Sequence, residues 1–226
     1  MEILLIRHGD PDYANDTLTE RGSREARRLA EGLAGVHIDR IYVSPLGRAQ
    51  ATAAPTAQTK GLAPVPLDWL RERGIKRGPL YLWEAPGAMF LREETLPTQN
   101  DWHLPSGAMP EGAEQFGRVR AGFDELMGTL GYARQEHGYR VVRHSTERIA
   151  LFCHKGVILT MLADMLHWAL PMVFISVHVH PTGVTRLEMA EDGAFAHWKA
   201  LAVNDLSHLG STLPAAPTQA LRRAEA

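Results

Sequence analysis

The chain has only one cysteine and no long apolar run, the features that stabilise secreted and membrane-spanning proteins. Its single cysteine, Cys153, excludes an internal disulfide and lies in the apolar run 149–153, which indicates a buried thiol in a reducing compartment. No apolar run approaches the roughly 20 residues of a membrane span. The N-terminus has no basic segment followed by an apolar one, as a secretion signal would have. We therefore expect a cytoplasmic protein that does not bind a membrane.

Neither sign of charge is in excess. Lysine and arginine number 24 and aspartate and glutamate 26, so that the net charge is −2. Because nucleic-acid-binding proteins usually carry a broad basic surface, we expect no nucleic-acid partner. The 226 residues and the 45% hydrophobic content are those of an ordinary globular protein. Any positively charged site must therefore be local.

The apolar pattern alternates between strand-like and helical segments. Short runs at 3–6, 41–43 and 65–67 are separated by helical patterns at 19–35 and 49–61, and a later strand at 149–153 precedes a helix at 157–168. This order predicts an α/β fold, a three-layer α/β/α sandwich with a mostly parallel sheet. Further strands are predicted at 174–180, 184–189 and 194–203. We predict one domain over residues 1–210.

Periodicity is lost between about residues 73 and 112, where prolines and glycines are frequent. A long irregular segment in a compact domain is usually functional, so we predict a lid inserted after the third strand. Its aromatic residues Trp83, Phe90 and Trp102 are interpreted as a small core of the lid, with an apolar wall for a bulky substrate as the alternative. Residues 211–226 are rich in alanine, proline and charged side chains, which predicts a flexible C-terminal tail.

Three predicted strands end in residues suited to phosphate chemistry: Arg7-His8-Gly9, the segment 44–48 with Arg48, and His154-Lys155-Gly156. The carboxyl ends of parallel strands share one edge of the sheet, where such folds bind ligands. Arginine cannot ligate a metal, but its guanidinium matches phosphate oxygens. A neutral histidine can attack phosphorus. The pattern favours a phosphate site without a metal.

These motifs, in this order, resemble those of the histidine phosphatase superfamily, the clan of phosphoglycerate mutases and histidine acid phosphatases. They are RHG at 7–9, LTERG at 18–22, SPLGRAQAT at 44–52, FCHKG at 152–156 and NDLSHL at 204–209. The resemblance implies a phosphoglycerate mutase-like fold. It also implies that His8 is a nucleophile forming a phosphohistidine, and that Arg7, Arg48 and His154 clamp the phosphoryl group.

The resemblance further implies a carboxylic acid that protonates the leaving oxygen and then activates water. Glu72 matches the family position, and Glu84 is its main rival. Gly9, Asn15, Thr19, Lys155 and Gly156 are expected to bind substrate. Ala14 stands where many members have asparagine, and Asn15 follows one position later. Helix capping explains Thr19 equally well, and solvent exposure explains Lys155 equally well.

The leading hypothesis is hydrolysis of a phosphorylated small molecule by a metal-independent phosphatase that needs no cofactor. A phosphoglycerate mutase-type phosphotransferase is the first alternative, and a non-catalytic phosphate-binding or regulatory relative is the second. His178 and His180 are two residues apart on a predicted strand, which we interpret as two strand-face histidines rather than a metal pair. A homodimer is compatible with the sequence.

Overall fold

The protein is built on one eight-stranded sheet. The structure, a computed structural model, describes residues 1–77, 80–102 and 110–210. The strands of this sheet are β1 (Glu2–Arg7), β4 (Arg40–Val43), β5 (Val65–Pro66), β8 (Tyr132–Gln135), β9 (Gly138–Val141), β10 (Arg148–Cys153), β11 (Val184–Asp192) and β12 (Phe195–Asp205). Their order across the sheet is β5-β4-β10-β1-β11-β12-β9-β8.

Two small hairpins and six helices complete the described part. The hairpins are β2 (Pro11–Asp12) with β3 (Thr17–Leu18), and β6 (Lys76–Arg77) with β7 (Leu80–Tyr81). The helices are α1 (Glu20–Gly32), α2 (Gly47–Lys60), α3 (Ala88–Leu91), α4 (Pro110–Leu130), α5 (Lys155–Met165) and α6 (Leu170–Ser176). No helix of the described residues is long and apolar enough to cross a bilayer.

The sheet has a parallel half and an antiparallel half. Strands β5, β4, β10 and β1 pair in parallel, and β1 then pairs with β11 in antiparallel fashion. The register aligns Arg7 with Cys153 and Phe152 with Val43. The carboxyl ends of β1, β10 and β4 therefore lie side by side. The predicted α/β fold is confirmed, and its parallel half carries the residues predicted for the site.

Both faces of the sheet are covered, because successive strand residues point to opposite sides. Leu4 and Ile6 pack with α1 and α2 in one hydrophobic cluster. Leu5, between them, belongs to a second and larger cluster with residues of α4 and α5, including Phe123 and Leu159. All five side chains are at most 2% exposed. This burial on both faces explains why β1 reads as a continuous apolar run.

The predicted strand at 174–180 is wrong. Residues Leu170–Ser176 form α6, and an extended segment follows it. Pro171 lies in the first turn of this helix, where its missing N–H has no role and its fixed φ suits the helix. Leu170, Val173 and Phe174 are buried along one side. This helical packing outweighs the strand propensity of the β-branched and aromatic residues.

The sequence patterns also missed β8 and β9, a tight hairpin after α4. Glu136 has a positive φ of 49° in its turn, and Tyr132 and Tyr139 are fully buried. Four-residue strands are too short for their alternation to stand out from the neighbouring helical pattern. They extend the antiparallel half of the sheet beyond the predicted strands.

The described part of the segment 73–112 packs against the main core. Leu82, Phe90 and Trp102 are buried in the same cluster as Phe123, so the interpretation of the aromatics as a separate small core is wrong. The described part of the segment contains the β6–β7 hairpin and α3. Residues 78–79 and 103–109, and the predicted tail 211–226, lie outside the described residues. A lid function for this segment stays a prediction.

Candidate active site

His8 lies directly after β1 with its ring buried. Its Nδ1 is 2.8 Å from the carbonyl oxygen of Gly9. Because a carbonyl oxygen only accepts, Nδ1 carries the hydrogen and the Nε2 lone pair is left unprotonated. Burial, followed by the positive charge of Arg7, lowers the pKa of His8 to about 3. At neutral pH the ring is therefore an uncharged potential nucleophile.

His154 follows β10 and faces His8, with the two ring centroids 5.1 Å apart. Its Nε2 is 2.8 Å from the hydroxyl of Ser44 at the end of β4. Its Nδ1 is sealed from solvent and has no hydrogen-bond partner in the described residues. Burial, followed by His8 and Arg48, lowers the pKa of His154. Ser44 lay in a quoted motif, but sequence reasoning gave it no role.

The two arginines each have one side tied to the protein. An Nη1–H of Arg7 donates to the carbonyl oxygen of Val179 at 2.7 Å, and an Nη1–H of Arg48 donates to Asp16 Oδ1 at 2.6 Å. The Nε atoms of both are buried without a hydrogen-bond partner in the described residues. A buried donor without an acceptor is costly, and an anion bound beside the two guanidiniums would supply the missing acceptors.

Glu72 reaches the same place from the loop after the 3-10 turn Asp68–Leu70. Its Oε2 accepts a hydrogen bond from the backbone N–H of Gly156 at 3.0 Å, and its Oε1 is buried without a partner in the described residues. A Cβ on Gly156 would lie only 2.5 Å from Oε1. The contact therefore requires glycine at the start of α5.

Burial raises the pKa of Glu72 to about 6, although the Gly156 N–H, Arg7 and Arg48 oppose the rise. The carboxyl group thus stands near the pH at which it can both give and take a proton. Its rival Glu84 is exposed on the turn Leu82–Glu84, which packs against α6. Of the two candidates, Glu72 is the one that lies close enough to Arg7 and Arg48 to interact with their charges.

Gly9 is held by a short relay of hydrogen bonds. Its backbone N–H donates to the hydroxyl of Thr52 at 2.9 Å, and that hydroxyl donates to the carbonyl oxygen of Arg48 at 2.7 Å. A Cβ on Gly9 would lie 2.9 Å from the carbonyl oxygen of Gly22. The glycine therefore lets the first turn of α1 approach β1. Thr52 belongs to the quoted SPLGRAQAT motif, but sequence reasoning assigned it no part.

Two residues predicted to bind substrate have local partners instead. Thr19 caps α1 by accepting the N–H of Gly22 at 3.0 Å, and its hydroxyl donates to Asp10 Oδ2 at 2.8 Å. Asn15 is exposed, and its amide donates to Asp12 at 2.7 Å. The described hydrogen bonds join Asn15 to Asp12, and substrate binding by Asn15 stays a prediction. For Thr19 they support the capping interpretation.

The turn after Asn15 supplies a residue that sequence reasoning missed. Asp16 binds Arg48 through Oδ1, and its Oδ2 accepts the backbone N–H of Gly47 at 2.7 Å. Asp16 has a positive φ of 46°. The ring of Tyr13, in the same hairpin, lies 5.3 Å from the guanidinium carbon of Arg48. The hairpin β2–β3 therefore lies over Arg48 and orients it.

The site thus combines two buried histidines with lowered pKa values, two guanidiniums and a carboxyl group with a raised pKa. Within the described ranges, no group of three or more histidine, cysteine or acidic side chains is placed to bind a metal. The two site histidines lie between positive charges of Arg7 and Arg48, which lower their pKa values. This arrangement suits a phosphoryl group with charge on its equatorial oxygens.

The sequence profile of the histidine phosphatase superfamily (branch 1) matches residues 3–205. The chain belongs to this superfamily. The match confirms the predicted family and the prediction that the chain is a phosphatase. Among curated relatives, phosphoserine phosphatase 1 of Hydrogenobacter thermophilus is 26% identical over 166 residues, which cover 68% of this chain and 75% of that protein.

Solved structures of other phosphatases share the fold of this histidine phosphatase. A mycobacterial glucosyl-3-phosphoglycerate phosphatase in complex with VO3 superposes with a TM-score of 0.61 at 20% identity, over 90% of this chain and 98% of that one. A mutant phosphoserine phosphatase from Entamoeba histolytica with bound phosphoserine gives 0.61 at 20% identity, over 92% and 98%. At this identity the likeness shows the fold.

Proposed function

We propose that this histidine phosphatase hydrolyses phosphomonoesters of small molecules through a phosphohistidine on His8, without a metal. The observation that carries the proposal is the state of His8: a buried, uncharged ring whose Nδ1 hydrogen is held by Gly9, so that Nε2 offers its lone pair beside two arginines. A nucleophile in this state needs no general base to remove a proton before it attacks.

In the first step, His8 Nε2 forms a bond to phosphorus as the bond from phosphorus to the leaving oxygen breaks. Protonated Glu72 gives its proton to that oxygen, and the alcohol leaves. In the second step, water attacks phosphorus and the bond from phosphorus to His8 Nε2 breaks, while the Glu72 carboxylate takes a proton from the water. Inorganic phosphate leaves, and both His8 and Glu72 return to their starting states.

Arg7, Arg48 and His154 stabilise the phosphoryl group during both steps. The guanidiniums neutralise charge on the equatorial oxygens. The hydroxyl of Ser44 can donate or accept, and we assign it as the donor to His154 Nε2, so that the ring hydrogen lies on Nδ1, the atom that has no protein partner in the described part. His154 then donates to a phosphoryl oxygen without carrying a positive charge of its own.

Hydrolysis is favoured over the mutase-type transfer by the relatives. The curated relative and the two solved structures described above are named as phosphatases, for phosphoserine or glucosyl-3-phosphoglycerate. We infer a small phosphorylated substrate of this general kind. The hydrolytic step needs a carboxylate that can take a proton from water, and a Glu72 pKa of about 6 fits that need.

The test compares wild type with His8→Ala on an aryl phosphate in the presence of EDTA. We expect metal-independent turnover in wild type and a loss of at least about a thousandfold in the variant. Rapid-quench mass spectrometry should detect phosphorylated wild-type protein but no phosphorylated variant. His197→Ala is the matched control, because His197 is exposed on β12, and it should keep full activity.

Equal turnover in wild type and His8→Ala would overturn the assignment of the nucleophile. Loss of wild-type activity on chelation would overturn the metal-independent mechanism. Transfer of phosphate between phosphoglycerates without release of inorganic phosphate would favour the mutase alternative. No turnover and no phosphorylated protein would favour the non-catalytic alternative.

A further inference from the structure

A second set of potential N–H donors lies beside Arg7, outside the groups that the proposed reaction uses. The Arg7 Nη1–H···O bond to Val179 holds the extended segment 177–180 against the site. The side chains on either side of Val179 are His178 and His180, whose ring centroids are 4.3 Å apart. They lie in an extended segment rather than in the strand that the sequence predicted.

Asn204 fixes which nitrogen of His180 carries the hydrogen. Asn204 Oδ1 accepts the backbone N–H of His180 at 2.7 Å, so its Nδ2 is the atom that lies 2.9 Å from His180 Nδ1. An amide nitrogen only donates. The neutral ring of His180 therefore accepts at Nδ1 and carries its hydrogen on Nε2, where it is a donor for another group. A Cβ on Gly183 would lie 2.3 Å from Asn204 Oδ1, so the glycine makes this arrangement possible.

Lys155 supplies the positive charge of the cluster. It is the first residue of α5, directly after His154. In the described part of the chain its ammonium has no hydrogen bond or ion pair, and burial, followed by the charge of Arg7, lowers its pKa. Its charge in turn contributes to the lowered pKa of both His178 and His180. The fold places these residues around Arg7, because Arg7 is aligned with Cys153, two residues before Lys155, and is hydrogen-bonded to Val179 between the two histidines.

The nearby negative charge that acts on Lys155 belongs to Glu72. That carboxyl group already accepts the N–H of Gly156, and the proposed reaction needs it for proton transfer. It is therefore not a dedicated partner for the ammonium. Lys155 is a partly buried cation that has no partner among the described residues and lies next to imidazole donors and beside a phosphate site. It therefore matches an anion brought by the substrate.

We propose that Lys155, His178 and His180 form a subsite for a carboxylate on the alcohol part of the substrate. This inference rests on the proposed function and specifies its substrate class: phosphomonoesters whose alcohol carries a carboxylate close to the phosphate. One ammonium and two neutral imidazoles match the single charge of a carboxylate better than the double charge of a second phosphate. The alternative is that Lys155 is a solvated residue at the start of a helix.

Binding to the His8→Ala protein tests the subsite without turnover. The probes are 3-phosphoglycerate and glycerol 1-phosphate, which differ by a carboxylate in place of a hydroxymethyl group. By calorimetry we expect 3-phosphoglycerate to bind about tenfold to a hundredfold more tightly, as a charge-assisted contact predicts. The binding ratio is the Kd of glycerol 1-phosphate divided by the Kd of 3-phosphoglycerate. Adding Lys155→Met should reduce this binding ratio at least about fivefold, and adding His180→Phe should reduce it by a smaller factor.

Lys199→Met is the matched control, since Lys199 is exposed on β12, and it should leave the ratio unchanged. Lys155→Arg should keep part of the preference because it keeps the charge. Circular dichroism shows whether each variant is folded. A ratio near one in the parent protein, or a ratio that Lys155→Met does not change, overturns the subsite.

Turnover of aryl phosphate by the wild-type protein separates this outcome from a failure of the proposed function. If aryl phosphate is hydrolysed but the binding ratio is near one, only the subsite is wrong. If aryl phosphate is not hydrolysed but the ratio is high and depends on Lys155, the subsite stands in a protein that binds phosphorylated carboxylates without turnover.

Discussion

The floor and the rim of the site are held in place by different kinds of interaction. The floor consists of Arg7, His8 and His154, which end two neighbouring strands whose register is fixed over six aligned pairs, from Glu2 with Arg148 to Arg7 with Cys153. The rim consists of the hairpin 11–18, the loop at 71–74 and the segment 177–180. Hydrogen bonds to the floor, to the starts of α2 and α5 and, for His180, to Asn204 position the rim.

This difference predicts a difference in function. Floor residues cannot move without disturbing a sheet buried on both faces, so their substitution should remove the chemistry. Rim contacts are individual hydrogen bonds, each worth about 1–3 kcal/mol when a charge is involved. Their substitution should change protonation, positioning or affinity while the nucleophile stays in place. The predictions that follow test this division.

The largest rim effect is expected from Glu72→Gln. Glutamine keeps the size of the side chain but cannot protonate a leaving oxygen. We expect kcat/KM on alkyl phosphates to fall about a hundredfold to a thousandfold, whereas kcat/KM on p-nitrophenyl phosphate, whose leaving group needs little protonation, should fall less than about tenfold. The hydrolytic step is common to both substrates, so the loss of proton transfer to Glu72 in that step lowers kcat on both. Steady-state kinetics on both substrates measure the contrast. Glu84→Gln is the control and should change neither rate.

The pH profile sharpens this prediction. The raised pKa means that Glu72 keeps its proton up to about pH 6 rather than losing it near the ordinary value of 4.5. The acid form is needed in the first step, so wild-type kcat/KM on alkyl phosphates should fall as pH rises above about 6. Glu72→Gln should lose this dependence, and comparison on the same substrate removes the titration of the phosphate itself. An identical profile in both proteins would assign the proton donor elsewhere.

A smaller effect is expected from Gly156→Ala. The added methyl would lie 2.5 Å from Glu72 Oε1, so the carboxyl group must move away from the leaving oxygen. The kcat/KM on alkyl phosphates should fall about tenfold to a hundredfold, and kcat/KM on aryl phosphates should fall much less, because the leaving-group step alone depends on the proton of Glu72. Gly128→Ala on α4 is the matched control, because a Cβ there meets nothing within 4 Å. If Gly156→Ala lowers both rates equally, the glycine serves the floor rather than Glu72.

The same division describes how far the sequence predicts the structure. His8 and His154 could be placed together because each ends an apolar run, and the carboxyl ends of parallel strands share an edge. The α/β fold followed from the same alternation of strands and helices. Glu72 came only from family resemblance, because no periodicity places a loop carboxylate 84 residues away against the N–H of Gly156.

The rim was the part that sequence reasoning described least well. Asn15 was expected to bind substrate, but the turn directs it to Asp12 and directs its neighbour Asp16 to Arg48. A shift of one residue in a tight turn exchanges which side chain faces the site, and apolar patterns contain no information on that choice. His178 and His180 were placed on a strand that is absent, so their position beside Arg7 could not be derived from the sequence.

The smallest effect is expected from Asp16→Asn, which tests whether the hairpin belongs to the rim. Asparagine tolerates the positive φ of 46° and can still accept the N–H of Gly47, but it lacks the charge that holds Arg48. The Asp16 side chain is 44% exposed, so solvent screens the ion pair and limits its value. We expect the inhibition constant of inorganic phosphate to rise about twofold to fivefold, with little change in kcat.

Asp16→Ala should raise the inhibition constant of phosphate by a similar factor. It should also lower Tm, because the bond to the start of α2 is lost. A rise of fiftyfold or more in Asp16→Asn would instead place Asp16 with the floor, since only a contact essential to Arg48 could have that effect.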